Sequence, residues 1–112
     1  MSGPSLDTPL LLEAPQRLVD TGGGTSIVWS ALGTVWADIA TKSGRETVAG
    51  LRESARVSHQ ITVRSAPIGS PQRPRPEQRF RLGDRLFAIR AVAPADGAGR
   101  HLTCWVEEGP FS

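Results

Sequence analysis

The sequence of 112 residues predicts an all-β fold, a small β-barrel or sandwich of about six or seven short antiparallel strands. Apolar and polar residues alternate with a period of two in several short segments, which is typical of strands with one buried face. Turn-forming residues, 12 glycines and 9 prolines, are abundant and lie mostly between those segments. Closure into a barrel is favoured because it leaves fewer free strand edges.

The N-terminal third is expected to form an arm and three strands. Residues 1–9 predict a flexible arm, and residues 10–19 predict an edge strand, or two short pieces, because Pro15 interrupts the run. A turn or flexible loop follows at residues 20–24. The alternating segments 27–31 and 35–40 then predict two strands joined tightly through Leu32-Gly33.

A long excursion is expected next, between strands, at residues 41–56. Ser43 and Glu46 have the spacing of a helix capping box, but Gly44 and Gly50 each weaken a helix by about 1 kcal/mol relative to alanine. We therefore expect a long inter-strand loop that holds at most one short helix.

The C-terminal half contains the clearest strands. Residues 57–64 alternate cleanly, and a proline-rich loop follows at residues 65–77. Gly83-Asp84 predicts a two-residue hairpin turn between strands at 79–82 and 86–91. After a turn at 94–99 comes a last strand around 102–107. Residues 10–108 thus form one predicted β-barrel domain, and residues 109–112 a loose C-terminal tail.

Composition excludes several classes of protein. The net charge is only +2, far from that of a dedicated nucleic-acid binder. Cys104 is the single cysteine, so neither an internal disulfide nor a thiolate metal cluster is expected. The N-terminus lacks the pattern of a signal peptide, and Leu10-Leu11-Leu12 is too short to span a bilayer. We expect a soluble protein made in the cytoplasm, without membrane partners.

No motif predicts catalysis, a cofactor or a metal. His101 and Cys104 lie three apart, so in a strand they point to opposite faces, and Cys104 is expected in the core. His59 lies on an apolar strand face and is interpreted as a partly buried core residue with one hydrogen bond. Glu107 and Glu108 are adjacent and diverge in a strand. The sequence therefore predicts a protein that is not an enzyme.

Two features are candidates for intermolecular contacts. A basic stretch near the proline-rich loop could contact DNA phosphates without reading sequence, although an ordinary solvated face is the favoured interpretation; it comprises Arg73, Arg75, Arg79, Arg81 and Arg85. Trp29 and Trp36 are expected to pack in the core. Trp105 lies on the predicted polar face of the last strand and is a candidate interface anchor.

An ordered set of weak motifs resembles the phage head–tail joining family, also called head–tail adaptor, head-closure or stopper proteins, over residues 10–108. The set is Gly22-Gly23-Gly24 before Trp29, Val35-Trp36-Ala37, Ser43-Gly44-Arg45-Glu46, the strand His59–Arg64, the hairpin ending Leu86-Phe87-Ala88-Ile89, and a strand around Leu102. The chain departs from the family pattern at Pro15-Gln16-Arg17 and in its proline-rich loop.

The resemblance implies a structural neck subunit of a tailed phage or of a phage-derived gene transfer agent. Copies would form a homo-oligomeric ring between the portal or adaptor ring above and the tail terminator or tail tube protein below. That ring would seal the channel and help to retain packaged DNA. The long loop would face the lumen and order on assembly, with an assembly role for Ser43, Gly44, Arg45, Glu46 and Arg52.

Two other functions stay open on the residues alone. A free-standing nucleic-acid-binding β-barrel would bind DNA with steeply salt-dependent affinity. A small enzyme or metal protein would show bound metal or a perturbed His59.

Overall fold

The computed structural model describes residues 5–42 and 57–109, and in these two ranges it contains strands, turns and loops but no helix. All neighbouring strands are antiparallel, and they close into a barrel in the order β1-β2-β3-β6-β5-β4. The strands are β1 (Thr8–Val19), β2 (Thr25–Lys42), β3 (Val57–Arg64), β4 (Arg79–Leu82), β5 (Arg85–Pro94) and β6 (His101–Glu108). The predicted all-β class is confirmed.

The core is formed by the inward-facing residues of every strand. Phe80 and Phe87 are the largest fully buried side chains and lie opposite each other across the β4–β5 hairpin. Ile61 and Val63 enter from β3, whose period-two pattern is the clearest in the sequence. The remaining buried apolar residues are Leu10, Leu12, Ala37, Ile89, Leu102, Cys104 and Val106. Burial of this cluster is the main stabilising contribution to the barrel.

β1 is one continuous strand of 12 residues, so of the two alternatives for this segment, the division into two short pieces is wrong. Pro15 lies opposite Trp29 of β2, whereas pairing with β4 covers only Leu11–Glu13. Pro15 therefore lies in a part of β1 that is paired on one side only. A strand edge tolerates proline because no ladder hydrogen bond is lost there.

β2 is a single strand of 18 residues, so the prediction of two strands joined at Leu32-Gly33 is wrong. Leu12 pairs with Gly33 and Glu13 with Ala31, so Leu32 is an extra residue in the ladder. Gly33 has a φ of 137°, a conformation that other residues rarely adopt. The glycine marks a β-bulge and not a turn. Both structures favour glycine because it adopts a positive φ without strain.

The bulge also changes the expected position of two tryptophans. Trp29 and Trp36 lie on the same strand, and neither is a core residue. Trp36 is 54% exposed, and Trp29 is partly buried beneath Arg79. The prediction that both pack in the core is therefore wrong. Trp36 precedes the buried Ala37 and so points to the outer face of β2, and Trp29 lies where β2 pairs only with β1, beyond the barrel.

Residues 14–31 form a projecting hairpin, in which the two strands pair only with each other beyond the barrel. Every residue from 16 to 28 is exposed. The Asp20 carboxylate accepts hydrogen bonds from the Gly22 and Gly24 amides at 3.0 and 2.9 Å and so holds the turn at the tip.

Four expected connections are confirmed: the loops at 20–24, 65–78 and 95–100, and the Gly83-Asp84 turn. β1 begins at Thr8, within the segment expected to be a flexible arm. Of the expected excursion at 41–56, residues 41 and 42 belong to β2, and residues 43–56 lie outside the described residues.

Candidate functional site

One end of the barrel, here called the Glu108 end, is where the long inter-strand segment joins the barrel. Lys42 pairs with Ser58, so the chain leaves and re-enters the barrel at neighbouring points. The Gly83-Asp84 turn and Glu108 lie at the same end. Five predicted assembly residues, Ser43, Gly44, Arg45, Glu46 and Arg52, lie in the segment outside the described residues.

A cluster of three side chains holds this end together. His59 Nε2 lies 2.8 Å from Glu108 Oε1, and Arg85 donates through Nε to Glu108 Oε2 at 2.7 Å. The Arg85 hydrogen bond and charge, with a hydrogen bond from His59, lower the pKa of Glu108 to about 2. The His59 ring also meets Phe87 edge-on, with ring centroids 5.3 Å apart. The cluster thus connects β3, β5 and β6 beside the ends of the long segment.

This cluster agrees with the interpretation of His59 as a buried core residue, since its side chain is only 3% exposed. Sequence reasoning missed its partner, because Glu108 is 49 residues away and becomes adjacent only through the β3–β6 pairing. The cluster is an ion pair that anchors strand ends. The Glu108 carboxylate accepts hydrogen bonds from both His59 and Arg85, which suits a structural role.

The structure divides the predicted basic stretch: Arg85 belongs to the cluster at the Glu108 end, and the other four arginines form two groups. Arg79 and Arg81 both donate to Glu13, at 2.6 and 3.2 Å. Arg79 also lies over the Trp29 ring, 4.0 Å from its centroid, and its side chain is only 13% exposed. These two guanidinium groups therefore join β4 to the base of the projecting hairpin. Their contact with DNA stays a prediction.

The second group lies around the proline-rich loop. Arg75 is exposed, and Arg73 donates to the Ala66 carbonyl at 2.8 Å while remaining partly exposed. The Ser65 amide donates to the Arg100 carbonyl, which brings Arg64 and Arg100 to the same end. Both are exposed. Sequence reasoning missed Arg64 and Arg100 because they are far apart in sequence, at the end of β3 and in the loop before β6, and are not part of the basic stretch.

Trp105 lies on the outer surface of β6, as the alternation predicts, and it is 40% exposed. It pairs with Gln60 on one side and with Ala91 on the other. Its role as an interface anchor stays a prediction.

The structure separates the residues considered for metal binding. Cys104 is fully buried, and burial raises the pKa of its thiol to about 12. His101 Nδ1 instead lies 3.1 Å from an Asp96 carboxylate oxygen. Within residues 5–42 and 57–109, no group of three or more His, Cys, Asp or Glu side chains could hold a metal ion. The same residues contain no helix long and apolar enough to cross a membrane.

Comparisons with known proteins identify relatives over nearly the whole chain. The family model for phage head completion protein matches residues 1–109. A chain in the structure titled "Virion of native gene transfer agent (GTA) particle" is 44% identical, with a TM-score of 0.81, and the match covers 96% of this chain and 98% of that one. No curated protein gives a significant match.

A second solved structure shares the fold. The solution structure of protein SF1141 from Shigella flexneri 2a has a TM-score of 0.71 and covers 100% of both chains. Its sequence is only 20% identical, so this similarity supports the barrel and nothing further.

Proposed function

The chain belongs to the phage head completion protein family, and from that membership we propose that it is a neck subunit whose copies form a ring joining the head of a phage-like particle to its tail. A structural role in the head–tail region of a phage or gene transfer agent particle follows from the family and from the similarity of this chain to the particle chain. This match over residues 1–109 is the observation that carries the proposal. A structural virion family also implies a role without catalysis.

The shape of the subunit supports a joining role. β2 runs from the hairpin tip at Thr25 to the Glu108 end at Lys42, and the molecule is 57 Å long. Surfaces at opposite ends of one strand can contact two different neighbours at once. In the proposed neck, these neighbours are the portal or adaptor ring on one side and the tail terminator or tail tube protein on the other.

Sealing of the channel is assigned to the segment 41–56 and to Ser43, Gly44, Arg45, Glu46 and Arg52 in it. The His59–Glu108–Arg85 cluster supports this assignment indirectly. It stabilises the barrel end at which that segment starts and finishes.

Retention of DNA through phosphate contacts is a separate part of the proposal. Arg73 and Arg75 suit that role better than Arg79 and Arg81, because the second pair shares the Glu13 carboxylate, which balances one of its two charges. Replacing a buried guanidinium–carboxylate contact with a phosphate contact would leave Glu13 unpaired at high cost.

Electron microscopy of particles from the producing cell, with this protein labelled, tests the proposal. A ring of labelled density at the head–tail neck is the expected result, and it would also reveal whether residues 41–56 narrow the channel. Absence of the protein from particles, in a cell that makes them, would contradict the neck assignment. A free-standing DNA-binding barrel would then be the better explanation, and the isolated chain should bind DNA with steep salt dependence.

A further inference from the structure

The tip of the projecting hairpin carries an unusual amount of exposed apolar surface. Leu18, Val19, Ile27 and Val28 are 48%, 73%, 53% and 41% exposed. Among residues 14–31, Arg17 and Asp20 are the only charged residues. Apolar side chains with few charges are the signature of an interface core. The tip is therefore suited to contact a surface that also carries apolar side chains.

The same chain carries a groove of about 370 Å³ at the point where β2 changes partners from β1 to β3. Its apolar lining comes mainly from Leu6, Val35 and Trp36. Arg64 is the only charged side chain in the lining, and among the described residues no ion pair involves it. The groove therefore combines apolar side chains with polar ones, Thr34, Ser65 and Gln72, and carries a single positive charge.

We propose that the hairpin tip of one copy binds in this groove of the neighbouring copy and so forms the contact between subunits of the ring. The two surfaces are complementary in charge, because Asp20 supplies the one carboxylate at the tip and Arg64 the one cation in the groove. This inference rests on the proposed function, since it names the contact that builds the ring.

The tip cannot occupy the groove of its own chain. Thr25 and Trp36 are eleven residues apart on the same extended strand, which separates them by about 35 Å. Tip and groove are also different surfaces, so the contact is heterologous. Heterologous contacts propagate from copy to copy and form a ring when the rotation closes.

Cysteine cross-linking in particles tests this contact. We would combine Val19→Cys at the tip with Thr34→Cys in the groove, and treat purified particles with an oxidant or a short bifunctional maleimide. The native Cys104 is fully buried, so it should not react. The expected result is a ladder of bands at multiples of 12.0 kDa. The control pair, Val19→Cys with Asp84→Cys at the Glu108 end, should give no ladder.

Two results would overturn the inference while leaving the neck assignment intact. One is the absence of a ladder although the protein is present at the neck. The other is a cross-link from position 19 to a chain of different mass, which would assign the tip to another neck protein. Absence of the protein from particles would instead count against the proposed function.

Mixing of variants in solution tests the contact independently of particles. The tip variant Leu18→Ser/Val19→Ser and the groove variant Trp36→Ser replace exposed side chains, so both should fold as the unmodified chain does. Each alone should lose oligomers, and an equimolar mixture should form dimers and nothing larger, because only one intact tip–groove contact remains per pair. Oligomers in either variant alone, or an unmodified chain that stays monomeric at high concentration, would contradict the inference.

Discussion

At the scale of single residues, charged side chains that are buried or half-buried are paired across strands of the barrel. The Glu13 carboxylate accepts hydrogen bonds from Arg79 and Arg81. The Glu108 carboxylate accepts hydrogen bonds from Arg85 and contacts His59. Each carboxylate joins strands that are distant in sequence. A barrel with short strands gains from such pairs because they stabilise strand ends that would otherwise fray.

Replacement of Glu108 should reveal its contribution through pH. The pKa of Glu108 is lowered to about 2, so its stabilisation is present above the ordinary carboxylate pKa and is lost as the pH falls towards 2. Glu108→Gln should therefore lower the free energy of unfolding by about 1 kcal/mol at neutral pH. The change is no larger because a partly exposed ion pair such as Arg85–Glu108 contributes little more than that to stability. The difference should disappear near pH 2, as measured by urea denaturation from pH 7 to pH 2.

Asp7→Asn is the matched control, since Asp7 is exposed and no ion pair involves it among the described residues. It should change the stability little at any of these pH values. A Glu108→Gln difference that stays constant between pH 5 and pH 2 would show that the carboxylate charge is not what stabilises this end.

At the scale of elements, the β-bulge in β2 decides how the hairpin leaves the barrel. The extra residue Leu32 packs against the core, while Gly33 adopts a φ of 137°. A bulge increases local twist and bends its strand. The bend allows one strand of 18 residues to serve first as part of the projecting hairpin and then as part of the barrel wall.

Gly33→Ala should destabilise the protein by about 1–2 kcal/mol, because alanine is strained at a positive φ even where space is available. The structure shows open space around a Cβ at this position, so the cost should come from the backbone alone. Gly97→Ala is the control, since a Cβ there also meets open space but its φ lies outside the left-handed region. Thermal or urea unfolding that gives equal effects for both variants would contradict this explanation.

At the scale of the whole molecule, the chain divides into a doubly paired barrel and a singly paired hairpin. Both neighbours of β3 and of β6 are strands, whereas residues 14–31 pair only within the hairpin. Local stability follows the number of contacts that must be broken. The hairpin is therefore expected to depend on neighbouring subunits for its protection from solvent.

Hydrogen exchange should show this difference directly. In the isolated chain, amides of residues 14–31 should exchange roughly 100-fold faster than those of β3 and β6. In the assembled particle the hairpin should become protected, and so should the segment 41–56 if it orders against its neighbours. Peptides from β3 and β6 provide the internal control, because their protection should not change. Equal protection of the hairpin in chain and particle would count against its burial on assembly.

The sequence by itself determined the all-β class, most of the C-terminal strands and part of the core. The alternation in β3, the Gly83-Asp84 turn and the burial of Cys104 were all predicted, because strand periodicity and turn chemistry depend on neighbouring residues. The resemblance to a head–tail joining family was likewise present in the order of the motifs, and the family match confirms it.

Only the tertiary structure decided the rest. Glycine serves turns and bulges alike, so the sequence could not distinguish two strands from one long β2. Whether Arg79 meets solvent or Glu13, and whether His59 has a partner, depends on which strands become neighbours when the barrel closes. Those contacts join residues 49 to 68 positions apart, and strand register, which is a property of the whole sheet, brings them together.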